Sequence, residues 1–365
     1  MTAPNTFNST DRTVRSGSLT RAARFPGLRA LAWSGDVLYA SRGYEVVSAR
    51  IHNSIPAVTW QPVAEFCPDW RRRVSVKNRL TARLFRDGFH ALAVLPAGGL
   101  VAAVPGAIVT FRPGESEFRR THTIVRGTRP LHITAVPGGG VFWGEYFDNP
   151  SREEVHVYAS GDAGATWSVA YTFPKGSIRH VHNIVHDPWE NCLWVLTGDY
   201  GDECRILRAA CVFSRVEAVL RGNQQARAVA LVVTEDGLYF SSDTPLESNY
   251  IYKLDRSGSL TRASELSSSS IYACRVGKEI FFSTMVEPSA VNRDQNVRVY
   301  GGNMVQGWQP LLDWKKDRWP MGLFQYGNAF LPDGNNTTKV LAVTTVGVEL
   351  DDMATSLYSL VSREV

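Results

Sequence analysis

The sequence has no run approaching the ~20 apolar residues that a membrane-spanning helix needs, which excludes a helical membrane protein. Charge of one sign is not in excess: 39 basic residues against 35 acidic ones leave a net +4, no basis for nucleic-acid or membrane binding. The five cysteines are scattered, with no CxxC pair, so neither a zinc ribbon nor a disulfide framework is indicated. Met1 to Leu19 is polar and lacks the apolar stretch of a signal peptide. Together these point to a soluble, reduced, cytoplasmic chain. Also missing are GxSxG, a P-loop, HExxH and GxGxxG after a strand, which weakens esterase, NTPase, metalloprotease and dinucleotide readings. Few segments show a helical period.

What is present is a repeating all-β pattern. Hydrophobic residues make up 44% of the chain and ten tryptophans stand among its aromatics, enough for a large core. Short β-branched and aromatic runs alternate with Gly, Asp, Asn and Pro turns. One four-stranded unit recurs, starting near Leu28, Phe89, Leu131, Val181, Arg227, Ile271 and Leu323. Units of about 40–50 residues with four strands are propeller blades. The expectation is one seven-bladed β-propeller with blades at 27–66, 88–126, 130–174, 178–222, 226–267, 269–317 and 319–365. Six blades is the alternative if the second unit is irregular. Residues 67–87 are arginine-rich, fit no blade and read as a basic insertion, more a solvated loop than a binding patch.

Two internal echoes support the repeat. SGSLTRA occurs at Ser16–Ala22 and at Ser257–Ala263, where it supplies an outer strand. The seventh unit lacks an outer strand, so residues 12–25 are expected to complete it and close the ring, which removes an exposed sheet edge. TWQPVAEF (Thr59–Phe66) likewise echoes GWQPLLDW (Gly307–Trp314).

Ser160–Trp167 reads SGDAGATW after the strand EVHVYA. In such a turn Asp162 caps backbone N–H groups, Gly164 takes the turn conformation and Trp167 packs between blades. The segment resembles the Asp-box of the sialidase-like BNR-repeat propellers, with degenerate copies near Trp60 and Trp308. The resemblance implies the fold across most of the chain. The arginine triad and Tyr/Glu nucleophile pair of sialidases have no counterpart, so it does not imply their activity. Similar propellers include glycoside hydrolases, polysaccharide lyases and binding modules.

In a propeller, innermost-strand starts and second-strand ends open on one face around the channel. The starts offer Arg29, His90, His132, His180, His182, Arg227, Tyr272 and Gln325; the ends offer Arg42, Glu145, Tyr146, Asp199, Tyr200, Asp243 and Glu287. Blades three to six thus each contribute a carboxylate. His180 and His182 alternate with Val181, so both lie on one side of a strand.

The leading expectation is a carbohydrate-active propeller, a glycoside hydrolase working at the channel mouth. Asp199 and Asp243 are its acid and base, and His180, His182 and Arg227 position the sugar. His90, His132, Glu145, Glu287, Gln325 and Arg42 complete the binding set, and Tyr146, Tyr200 and Trp189 offer stacking faces. The first alternative is a lyase for uronate-containing glycans, in which His182 and Tyr200 exchange protons while Arg227 holds the carboxylate. The second is a non-catalytic glycan- or protein-binding propeller. No cofactor is expected. A divalent metal is the weaker alternative, with His180, His182 and a carboxylate adequate for zinc or manganese.

Overall fold

The second strand of each repeat is apolar on both sides. Leu100–Val104, Cys192–Thr197 and Val340–Val346 are buried along their whole length. A strand with two apolar faces needs cover on both, and here other sheets supply it. In a computed structural model, which describes residues 19–53, 55 and 57–360, seven sheets surround a central channel as the blades of a propeller. The buried apolar side chains form wedges between successive blades. One wedge joins Leu31, Val46 and Phe66 to Phe89, Leu92 and Val109. Another joins Phe142 and Val157 to Ile184 and Leu193, and a further one joins Ala30 and Leu38 to Val340 and Leu357. Among the described residues no helix is long and apolar enough to cross a membrane.

The first blade runs outward through Arg29–Gly35, Val37–Arg42, Glu45–Arg50 and Gln61–Glu65. The seventh begins with Asn328–Phe330, Val340–Val346 and Ala354–Leu360, and its outermost strand is Leu19–Pro26, with Leu19 opposite Leu360 and Pro26 opposite Ala354. The ring is also stitched on its inside, where Asp333–Asn336 pairs in parallel with Ala32–Gly35 of the first blade. Ser16–Ser18 of the first heptapeptide, the rest of the segment before Leu19, and residues 361–365 of the seventh unit lie outside the described residues.

The turn at 160–167 links the third and fourth strands of blade three, Val155–Ser160 and Ser168–Phe173. Asp162 accepts from the amides of Ala165 and Thr166 at 3.1 and 2.9 Å and from the Thr166 hydroxyl at 2.6 Å. Gly164 has φ +82°, and a Cβ there would meet Val101 at 2.6 Å in the neighbouring blade. The Trp167 indole donates to Thr121 of blade two at 3.2 Å.

Two sequence expectations are corrected. Residues 67–87 are helical: α1 (Trp70–Ser75) and α2 (Arg79–Phe85) are capped by the side chains of Asp69 and Asn78. They are anchored, too. Arg83 on α2 is 1% exposed and reaches Asp317 at 2.5 Å and Asp352 at 3.1 Å, while also donating to the Phe324 carbonyl. The insertion therefore clasps the far side of the ring seam. The second correction is at the seventh unit, where Met321–Phe324 forms a short helix, α3, and the innermost strand starts only at Asn328. Gln325 is thus a helix-end residue with φ +71°, and Asn328 takes the strand-start position.

Removing one partner of a buried ion pair leaves uncompensated charge behind. Arg83→Ala should lower unfolding stability by about 3–5 kcal/mol, and exposed Arg71→Ala should change it by less than about 0.5 kcal/mol. Urea unfolding of both variants measures this; equal effects would mean the insertion is not held through Arg83.

Candidate functional site

The site is built where blade three hands over to blade four. The second strand of blade three, Val141–Gly144, ends in Gly144-Glu145-Tyr146. A Cβ at Gly144 would stand 2.4 Å from the Cβ of Val181, so glycine is required for the two blades to approach here. The Val181 amide donates to the Glu145 carbonyl at 2.9 Å. Tyr146 is thereby laid against the residues flanking Val181, with its ring centroid 4.3 Å from that of His180 and 6.3 Å from that of His182.

The innermost strand of blade four, Val181–Asp187, is bulged at its start, with Val181 opposite Thr197 and Asn183 opposite Leu196. Similar shifts occur near the starts of the innermost strands of blades one, five and six. Bulges re-aim side chains, and this one brings the two imidazoles together, Nε2 to Nε2, at 3.1 Å. Each ring is fixed from behind. His180 Nδ1 lies 3.1 Å from the Phe147 carbonyl and His182 Nδ1 lies 2.9 Å from the Ala228 carbonyl. A carbonyl only accepts, so each Nδ1 carries the hydrogen and donates it.

Asp199 faces both rings. Gly198 before it has φ +132°, with room for a Cβ denied by Cys204 at 2.5 Å. The carboxylate lies 3.6 Å from Nε2 of each histidine, accepts from Arg179 at 3.3 Å and stands 3.5 Å from Arg227. Arg227 and Gln224 also donate to the Asp199 carbonyl, at 3.2 and 3.1 Å. Burial pushes the Asp199 carboxyl up, but His180 and His182, when their rings are protonated, outweigh it and hold the group far below the usual carboxylate range. Burial lowers His180.

Arg227 has a second carboxylate beside it, Asp243 at 3.7 Å, and the Asp243 amide donates to the Arg227 carbonyl at 2.9 Å. Burial raises Asp243, against the opposing charge of Arg227. Its Oδ1, like Arg227 Nε, is buried without a hydrogen-bond partner. Glu287 is raised to about 6 by burial and by the Asp243 charge. Tyr146 is raised by burial and by Asp199. Tyr200 is 44% exposed, with the Arg227 guanidinium 5.7 Å from its ring centre.

The remaining expected residues divide differently. His90 and His132 belong to a second, cationic cluster on the opposite side of the channel. Arg29 contacts His90 Nδ1 at 3.2 Å and lies over Phe330, and His132 contacts Asp333 at 3.0 Å. Arg129 joins them, pushed down to about 10 by burial and by Arg29 and Arg86. Burial and the charge of Arg129 drive His90 well below its ordinary value. Glu145 is not a free binding group, because both its oxygens engage Arg126 and one also accepts from the His156 amide. Arg42 is exposed at the end of its strand, and among the described contacts nothing joins it or Gln325 to either cluster. Trp189 lies at the other end of the Val181–Asp187 strand, about 20 Å from the histidines, in a turn organised by Asp187.

The sequence reading missed Arg179, Gln224, Arg129 and Asp333, and read Tyr146 only as a rim aromatic. Arg179 had a signal, since it directly precedes His180; Asp333 had none, because it arrives from the far end of the chain.

No protein-family model matches the sequence, and no curated protein does. Solved structures are similar over most of the chain. A chain of the mitotic checkpoint complex gives a TM-score of 0.58 at 12% identity, covering 94% of this chain and 95% of its own. A virginiamycin B lyase from Staphylococcus aureus, in a catalytically inactive histidine-to-alanine form with quinupristin, gives 0.57 at 11% identity, covering 94% and 98%. The β-propeller domain of Myceliophteria thermophila Cps50 (Swd1) gives 0.54 at 10% identity, covering 94% and 99%. At these identities the likeness shows the propeller fold and nothing finer.

The environment of Glu287 has a measurable consequence. Below pH 4.5 the group is protonated whether the chain is folded or not. Between 4.5 and about 6 the unfolded chain ionises first, and the folded state loses stability until the penalty is complete above 6. The rise corresponds to about 2 kcal/mol. Glu287→Gln should therefore melt higher than the wild type at pH 7.5, with the difference vanishing near pH 4.5. A lower melting temperature for the variant at pH 7.5 would contradict this description of the site.

Proposed function

We propose that this propeller binds a carbohydrate at the channel mouth and hydrolyses a glycosidic bond there, with Asp243 and Glu287 as the proton-transfer pair. The observation that carries the reading is the buried, unpartnered Asp243 Oδ1 next to the unpartnered Arg227 Nε. Buried polar atoms left without partners cost about 1–3 kcal/mol each, and such cost is tolerated where a ligand supplies the missing bonds. A sugar is proposed as that ligand on the resemblance of the 160–167 turn to the Asp-box of the sialidase-like propellers.

The roles follow from how each group holds its proton. Asp243, whose carboxyl is raised by burial, is the proton donor to the glycosidic oxygen. Glu287, poised at about 6, takes a proton from the attacking water, because a base works best near the operating pH. Asp199 is ill-suited to either role, because the groups around it keep it ionised and weakly basic. It orients Arg227 and the two imidazoles instead. Arg227 binds a ligand oxygen, and the exposed Tyr200 ring offers a stacking face. Elimination from a uronate is the second reading, favoured by Tyr146 lying on His180.

Mass spectrometry of neutral, sialylated and uronate oligosaccharides after incubation with the protein tests the proposal. Products heavier by one water in total are expected, with turnover reduced ~10²–10⁴-fold in Asp243→Asn and Glu287→Gln while both variants stay folded. Unsaturated products would establish elimination in its place. An unchanged panel would overturn catalysis in favour of a binding propeller.

A further inference from the structure

We infer that His180, His182 and Asp199 hold one divalent transition-metal ion of the zinc class. The inference rests on the orientation of the rings and not on any particular substrate. Both Nδ1 atoms donate to backbone carbonyls, of Phe147 and Ala228. In neutral rings both Nε2 atoms then present lone pairs, and these face each other at 3.1 Å. Two lone pairs at that distance repel unless an electrophile lies between them. Asp199 completes the set with oxygens 3.6 Å from each nitrogen.

These spacings suit a metal. With Zn–N and Zn–O distances of about 2.0–2.1 Å in tetrahedral geometry, neighbouring donor atoms stand roughly 3.3 Å apart, between the two separations observed. The backing carbonyls are the outer partners that metal-bound histidines ordinarily have, fixing tautomer and ring plane. All three residues are buried, His182 to 3% exposure, so water does not satisfy the donors from all sides. Three protein ligands leave a coordination position for water or a ligand oxygen, as in catalytic and not structural zinc sites.

The surrounding charge accommodates a dication. Arg179, which contacts Asp199, also pairs with Asp148 at 3.3 Å, and Arg227 pairs with Asp243 at 3.7 Å. The other two groupings of potential ligands among the described residues lack these features. Asp187, beside Glu190 and Cys192, already binds Arg256 and the Trp194 indole, whereas Glu65, Cys67 and Glu117 are exposed.

The full-length protein, stripped with a chelator and dialysed, is titrated with Zn²⁺ by calorimetry and with Co²⁺ by visible absorption. One equivalent of Zn²⁺ should bind and raise the melting temperature. Co²⁺ should give the intense bands of a low-coordinate nitrogen–oxygen site. Affinity should fall at least roughly tenfold in His182→Ala and in Asp199→Asn, and stay unchanged in Cys67→Ser. Absence of stoichiometric uptake by the wild type, or uptake indifferent to both site variants, would overturn the inference and leave a proton shared between the rings. If His182→Ala does not fold, the wild-type cobalt spectrum decides alone, and a hexa-aquo pattern is the overturning result. Glycan turnover enters none of these readouts, so the metal site and the proposed hydrolysis can fail separately.

Discussion

The channel depends on the antiparallel pairing of Leu19–Pro26 with Ala354–Leu360. A propeller blade is stable only between two neighbours, because its middle strands are apolar on both faces. An open ring would leave the first and last blades each with one such face in water. Once closed, the ring leaves strand ends for polar chemistry, and one set of buried charged groups gathers at the channel mouth. The parallel stitch of Asp333–Asn336 onto the first blade belongs to the same seam, and it delivers Asp333 to His132.

The channel is electrically divided. Blades four to six supply Asp199, Asp243 and Glu287 with the histidine pair and Arg227, whereas the opposite side gathers Arg29, Arg86 and Arg129 around His90. Within the acidic half, position decides what each carboxylate can do. Asp199 is surrounded by donors and stays charged. Asp243 has one guanidinium and is otherwise dry. Sequence alone ranks the two as equivalent second-strand ends, and only their partners separate them.

The blades were legible because burial on both faces writes a continuous apolar run, and the turns between them write Gly and Asp. The Asp162 turn was readable residue by residue, since every bond in it is local. The pairing of His180 with His182 followed from alternation, although a bulge at that point does part of the work. Long-range partners were not legible. Nothing near Glu145 announces Arg126, and no period marks the Asn328 strand start, so Gln325 was placed there. The two insertion helices are too short for a periodic signal to stand out, and their caps, Asp69 and Asn78, are ordinary loop residues in any other setting.

The closing strand has a consequence for synthesis. Leu19–Pro26 leaves the ribosome before its partner, Ala354–Leu360, which follows more than 300 residues later. At roughly 5–20 residues per second, the strand waits about 20–70 s as an unpaired edge. Its side chains are mostly exposed even in the finished ring, and Arg21 and Arg24, which finally pair with Asp351, keep it charged during the wait. Charged edges resist pairing with the wrong chain. The residues that lock the seam shut at the end of folding thus also guard it against misassembly on nascent neighbours.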